Sequence, residues 1–169
     1  MKEKIIAFLF FIFGIVLFLF IRDSYPLNSF DNKSDFKVSF YEKMNFFENF
    51  EFFGIFIFNL IVGFLLSFIG YFTGGFLTLL ILFWNGFLIA MILNLAVYKL
   101  SIGTILYVSK HMPLEIYAFL LFAEFGLRGR FFIKKILIDN EVDFSLVPKT
   151  KKLLYPTILL VFASFLEVI

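Results

Sequence analysis

The stretch His111-Met112-Pro113-Leu114-Glu115 runs directly into an apolar segment that lasts to Leu127. Proline lacks a backbone N–H, so inside a helix it is comfortable only in the first turn, where that donor is unneeded. Pro113 therefore opens a helix, with Glu115 in its first turn and His111 at or just before the cap. His111 is the only histidine of the chain. Ionisable groups at the edge of so apolar a run are costly in lipid, and they mark a functional site or a buried pair.

The rest of the chain is built for the same surroundings. Of 169 residues, 62% are hydrophobic and only 17% charged, which excludes an ordinary soluble globular chain. The apolar runs suit a hydrocarbon layer of about 30 Å, crossed at about 1.5 Å per helical residue. Cysteine is absent, so neither a disulfide framework nor a thiol nucleophile is available. The expected fold class is all-α: a polytopic helical membrane protein of about five transmembrane helices, forming one membrane domain over residues 1–169.

Working outward to the N-terminus, Lys2 and Lys4 precede an unbroken apolar run over 5–21, too long for a signal-peptide core and without a small-residue cleavage site. It reads as an uncleaved first span with its N-terminus in the cytoplasm. Residues 22–51 mix charges with Phe36, Phe40, Phe46, Phe47 and Phe50, the pattern of an extracytoplasmic connection with aromatic anchors, partly an interfacial helix. The second span, 52–72, places Asn59, Gly63, Ser67 and Gly70 in one small and polar stripe that continues to Gly74. After Thr73-Gly74-Gly75 the third span, 76–98, repeats the device with Gly86, Ala90 and Asn94, and with Asn85 beside them. Such stripes allow close backbone approach in lipid, and the asparagines supply hydrogen bonds between helices. Spans two and three are therefore expected to pair as a tight hairpin.

Residues 100–113 are too apolar for a free loop and too short to cross, so a broken or re-entrant element lining a cavity is expected there. The fourth span, 113–127, is short at about 22 Å. Arg128, Arg130, Lys134, Lys135, Lys149, Lys151 and Lys152 crowd the connection 128–152, which the positive-inside rule places in the cytoplasm. Within it, residues 131–138 read as a helix lying on the inner surface. A fifth span, 153–169, then ends outside, giving a cell-membrane protein with its N-terminus in and its C-terminus out.

Chain arithmetic brings the polar groups together. Glu115 starts span four on the outer side, and Glu167 lies about 21 Å along span five. Asn59 is about 10 Å below the outer end of span two, and Asn94 is near the outer end of span three. His111, Glu115, Glu167, Asn59 and Asn94 can thus share one outward-opening cavity, whereas Glu124 is expected to pair with Arg128 at the inner surface. Three chemistries are open to the cluster. Zinc sites use three or four ligands, and with one histidine only a His111–Glu115–Glu167 set would serve, so no metal or cofactor is expected. Catalysis by His111, Glu115 and Glu167 would need a glutamate to activate water, because no activated Ser or Cys is evident. The third chemistry, favoured here, is a hydrogen-bonded network locking helices or forming a docking or transport cavity. Nucleic acid is excluded as a partner, because the basic residues flank spans.

These residues also carry a family resemblance. Asn59, Gly70 with Gly74-Gly75, Trp84-Asn85-Gly86, His111-Met112-Pro113-Leu114-Glu115 with Ala118, Gly126-Leu127-Arg128 and Ala163-Ser164-Phe165-Leu166-Glu167 occur in an order that resembles the stage II sporulation protein M family of integral membrane proteins. The chain departs from it at Met112, where members usually have Gly, and at Glu124, where they usually have a small residue. The resemblance implies a non-enzymatic membrane component that recruits a cell-wall hydrolase complex. It equally implies maturation, cyclisation, export or immunity for a circular bacteriocin, beside a transporter ATPase or permease and acting on a hydrophobic peptide. Besides the lipid bilayer and such partners, a homo-oligomer is among the assemblies expected.

Overall fold

The computed structural model describes residues 2–22, 51–139 and 149–168, and every regular element among them is helical. Residues 23–50 of the extracytoplasmic connection and 140–148 of the basic connection, with the aromatic anchors expected in the former, lie outside the described residues. Helix α1 spans Lys2–Ile21. Helix α2 runs from Glu51–Phe64 through a π-helical segment, Leu65–Ile69, into a last turn, Gly70–Phe72. Helix α3 covers Phe76–Lys99, α4 Ile102–Val108, α5 Met112–Leu127 and α6 Gly129–Asp139. A 3₁₀ turn at Thr150–Leu153 leads into α7, Leu154–Val168.

Among the described residues, three helices are long and apolar enough to cross a membrane: Lys2–Ile21, Phe52–Phe72 and Phe76–Val97. Helices α5 and α7, with 16 and 15 residues, are shorter than a full span. They contribute most of the core, where Ala118, Phe119, Phe122, Ala123 and Leu127 of α5 and Leu160 of α7 pack with Ala7, Leu66 and Leu82. Outside this core the surface is studded with large apolar side chains such as Phe20, Phe58, Phe64, Phe72, Phe76 and Phe162. In water such a surface would aggregate; facing lipid it costs nothing.

Glycine sets how closely the helices approach. A Cβ at Gly14 of α1 would strike the Phe83 carbonyl of α3, and one at Gly86 of α3 would strike the Phe11 carbonyl of α1. The tight pair is therefore α1 with α3. Phe13–Phe83 and Phe18–Phe87 ring contacts flank it at centroid distances of 5.6 and 5.4 Å. This corrects the expected use of the stripe on the third span, which serves α1 rather than α2. Gly63 of α2 likewise faces the Phe122 ring of α5, while Gly70 alone meets α3, at Thr78. Ala90, also in the stripe, is buried. The α2–α3 turn is tight because Gly74 and Gly75 take φ of +65° and +87°, left-handed values that suit glycine.

The π-helical segment was not expected from sequence. Widening a helix loosens its carbonyls, and in lipid each needs a partner. Thr78 Oγ1 donates to the Leu66 carbonyl at 2.8 Å, and Ser67 Oγ donates to the Gly63 carbonyl at 2.8 Å. Gly126 of α5 lies against that same Leu66 carbonyl and Thr78 hydroxyl, so α2, α3 and α5 converge at one point. The interruption expected over residues 100–113 is present as α4, capped by Ser101, whose Oγ accepts from the Thr104 N–H at 3.3 Å. Its Ile102, Leu106 and Tyr107 are exposed. The backbone here is helical and satisfies its own groups, which removes the need for surrounding protein.

Candidate functional site

Two polar clusters lie at opposite ends of the bundle. At one end the α1 N-terminus meets the end of α5 and the start of α6. Glu124 accepts a hydrogen bond from Arg128 Nη2 at 2.6 Å, one helical turn away, and its other oxygen lies 3.4 Å from Lys4 Nζ. Arg130 Nη2 donates to Glu3 at 3.0 Å. The Glu124–Arg128 pair was legible in the sequence; the contributions of Lys4, Glu3 and Arg130 were not, because nothing local links residue 3 to residue 130. Beside these pairs Leu121, Phe125, Lys152, Leu153, Tyr155 and Pro156 line a shallow groove between α5 and α7.

The other end holds the His–Glu stretch. His111 is the N-cap residue of α5, Pro113 follows in the first turn and Glu115 completes it. His111 makes no side-chain capping bond; its Nε2 faces the carboxylates instead. Asn59 Nδ2 of α2 donates to Glu115 Oε1. The remaining oxygen, Oε2, faces His111 Nε2 at 3.9 Å, and Glu167 Oε2, from the last turn of α7, faces the same nitrogen at 3.7 Å. Three helices thus contribute to one cluster. The His111 side chain is 9% exposed and that of Glu115 16%, while Glu167 at 35% forms the open side.

Of the residues singled out in the sequence, Asn59, His111, Glu115 and Glu167 are brought together. Asn85 and Asn94 are not joined to them. Asn85 returns its amide to the Ile81 carbonyl of its own helix at 2.8 Å, a bond that needs no neighbour. Asn94 Nδ2 is buried with no hydrogen-bond partner among the described residues. Among the same residues, no Lys or Arg lies within ion-pair distance of Glu115 or Glu167. A cluster of two carboxylates and one imidazole can accept protons, bind a cation or receive donors from another molecule.

An all-helical chain with apolar, membrane-length helices and a polar cluster between helix ends is an integral membrane protein of the helical polytopic class. It belongs to the stage II sporulation protein M family, whose family model matches residues 6–169, essentially the whole chain. Comparison with curated proteins and with solved structures returns no match.

Proposed function

We propose that the protein is a non-enzymatic membrane component of a multiprotein complex, with the Asn59–Glu115–His111–Glu167 cluster as its organising site. The observation that carries this reading is the convergence of those four side chains from α2, α5 and α7 at one end of the bundle. In this reading α5 and α7 complete a five-span arrangement, and the lysine- and arginine-rich end faces the cytoplasm. The cluster then opens to the outside, where a cell-wall hydrolase complex or an exported peptide would be met. Cysteine labelling in intact cells tests the orientation: Lys43→Cys reacts with an impermeant reagent and Asp139→Cys does not, and the reverse pattern overturns it.

A second reading is favoured by the burial of His111 beside two carboxylates: maturation of a circular bacteriocin, with His111 and Glu115 acting on a hydrophobic peptide as a membrane peptidase or cyclase. Affinity purification from native membranes in mild detergent, followed by mass spectrometry, separates the two. A stoichiometric partner held by the wild type and released by Glu115→Gln supports the organising role. A partner that stays bound to Glu115→Gln while peptide processing stops overturns it in favour of catalysis.

A further inference from the structure

We propose that His111 Nε2, Glu115 Oε2 and Glu167 Oε2 form a binding site for a divalent transition-metal ion of the zinc or manganese type. The three residues present ligand atoms that all lie within 4.8 Å of one another. The Nε2 nitrogen is 3.9 Å from one carboxylate oxygen and 3.7 Å from the other, beyond hydrogen-bonding distance, so direct contact does not close the cluster. Ligands about 2.0–2.2 Å from a tetrahedral ion stand roughly 3.3–3.6 Å apart, so His111 needs only a few tenths of an ångström of movement relative to each carboxylate oxygen, and the two carboxylates, within 4.8 Å of each other, close by up to about an ångström. Glu167, on the open side, is the group free to move.

A second observation concerns the imidazole itself. The His111 side chain is more than nine-tenths buried, and its Nδ1 has no hydrogen-bond partner among the described residues. Coordination at Nε2 gives this largely buried ring a strong partner on the side that faces the carboxylates and leaves Nδ1 to carry the N–H. Asn59 adds orientation: by holding Glu115 Oε1, its amide leaves Oε2 turned toward His111, as hydrogen bonds to ligating carboxylates do in metal sites. Two carboxylates with no Lys or Arg within ion-pair distance among the described residues, set among apolar helices, also lack a compensating charge there.

The donor set decides the class of ion. One imidazole nitrogen with two carboxylate oxygens suits zinc, manganese or ferrous iron; calcium and magnesium prefer all-oxygen shells, and cuprous ion prefers sulfur. Three protein ligands leave a fourth position for water or for an oxygen of a bound molecule. The site does not depend on whether the protein organises partners or acts on a peptide.

The test uses the full-length protein in detergent, stripped with a chelator and then titrated with zinc and, separately, with manganese. Bound metal is read by elemental mass spectrometry and affinity by calorimetry. One equivalent is expected in the wild type. Asn59→Ala weakens affinity by about 10–100-fold, as loss of a carboxylate-orienting group does. His111→Ala and Glu167→Gln abolish stoichiometric binding, whereas Glu124→Gln, a carboxylate of the same helix in an ordinary ion pair, leaves it unchanged. Glu167→Gln sits on the open side at a helix end, so it reports on the metal even where His111→Ala fails to fold. A cobalt-loaded wild type should show the visible absorption of a low-symmetry site, absent in Glu167→Gln. Metal content well below one equivalent in folded wild type, or equal content in Glu167→Gln, overturns the proposal. Wild type that holds its partner but takes up no metal overturns the metal site and leaves the organising role standing.

Discussion

At the basic end of the bundle the carboxylates Glu3 and Glu124 each have a cation in contact, and Arg128 reaches Glu124 at 2.6 Å. At the other end Glu115 and Glu167 have no Lys or Arg within ion-pair distance among the described residues, and His111 stands between them without touching either. Both ends place charge beside hydrocarbon, but only the first neutralises it internally. A closed set of pairs has no chemistry left to offer; it fixes the N-terminal helix onto α5 and α6. An open set is costly for the isolated chain, and that cost falls when something else binds. The comparison divides the molecule into an anchoring end and a working end.

The sharpest way to break that division is to overpack each end. Gly129→Val at the anchoring end drives a side chain into the Tyr71 carbonyl, which is backbone and cannot rotate away. The expected loss is at the upper end of about 1–3 kcal/mol or beyond, read as early thermal unfolding in detergent. Gly103→Val, on exposed α4, meets only Ser101 Oγ at 4.0 Å and should leave the melting curve in place. Equal destabilisation by the two would remove the distinction.

Smaller effects should come from the charges. Arg130→Ala leaves the Glu3 carboxylate, 15% exposed, without that partner, at a cost of about 1–3 kcal/mol by the same assay. Smallest of all should be Glu115→Gln. Its amide oxygen still accepts from Asn59, so stability should change by less than about 1 kcal/mol while the activity of the cluster is lost. Glu124→Gln should do the opposite, lowering stability by about 1–2 kcal/mol through a weakened Arg128 pair and sparing function. If Glu115→Gln unfolds the protein and Glu124→Gln silences it, the two ends have been assigned the wrong way round.

The helical class and the membrane setting were readable from the sequence, because a span needs only length and apolarity, both local properties. The start of α5 was readable for a similar reason: Pro113 is tolerated in the first turn and nowhere deeper. The meeting of Asn59, His111, Glu115 and Glu167 follows from counting helical rise along alternating helices. That counting cannot separate them from Asn94, which it puts at a similar height but whose buried Nδ2 has no hydrogen-bond partner among the described residues. Depth is fixed by position along the chain; the direction in which a side chain faces is fixed by which helices are neighbours.

Neighbour choice is what the tertiary structure decided. The stripe of Gly86 and Ala90 announces a close approach but not its partner, and the partner is α1, admitted by the single Gly14. The π-helical segment in α2 has no local signature in Leu65–Ile69. It persists because Thr78, twelve residues on, donates to the Leu66 carbonyl and Gly126 leaves room for both. Glu3 and Arg130, 127 residues apart in sequence, become a pair only when α1 packs beside α5 and α6. The sequence by itself determined the helical class and the apolar, membrane-length segments, because those depend on composition and rise. Contacts between helices decided the rest, since a carbonyl, a glycine or a charge acquires its partner only when another helix is brought against it.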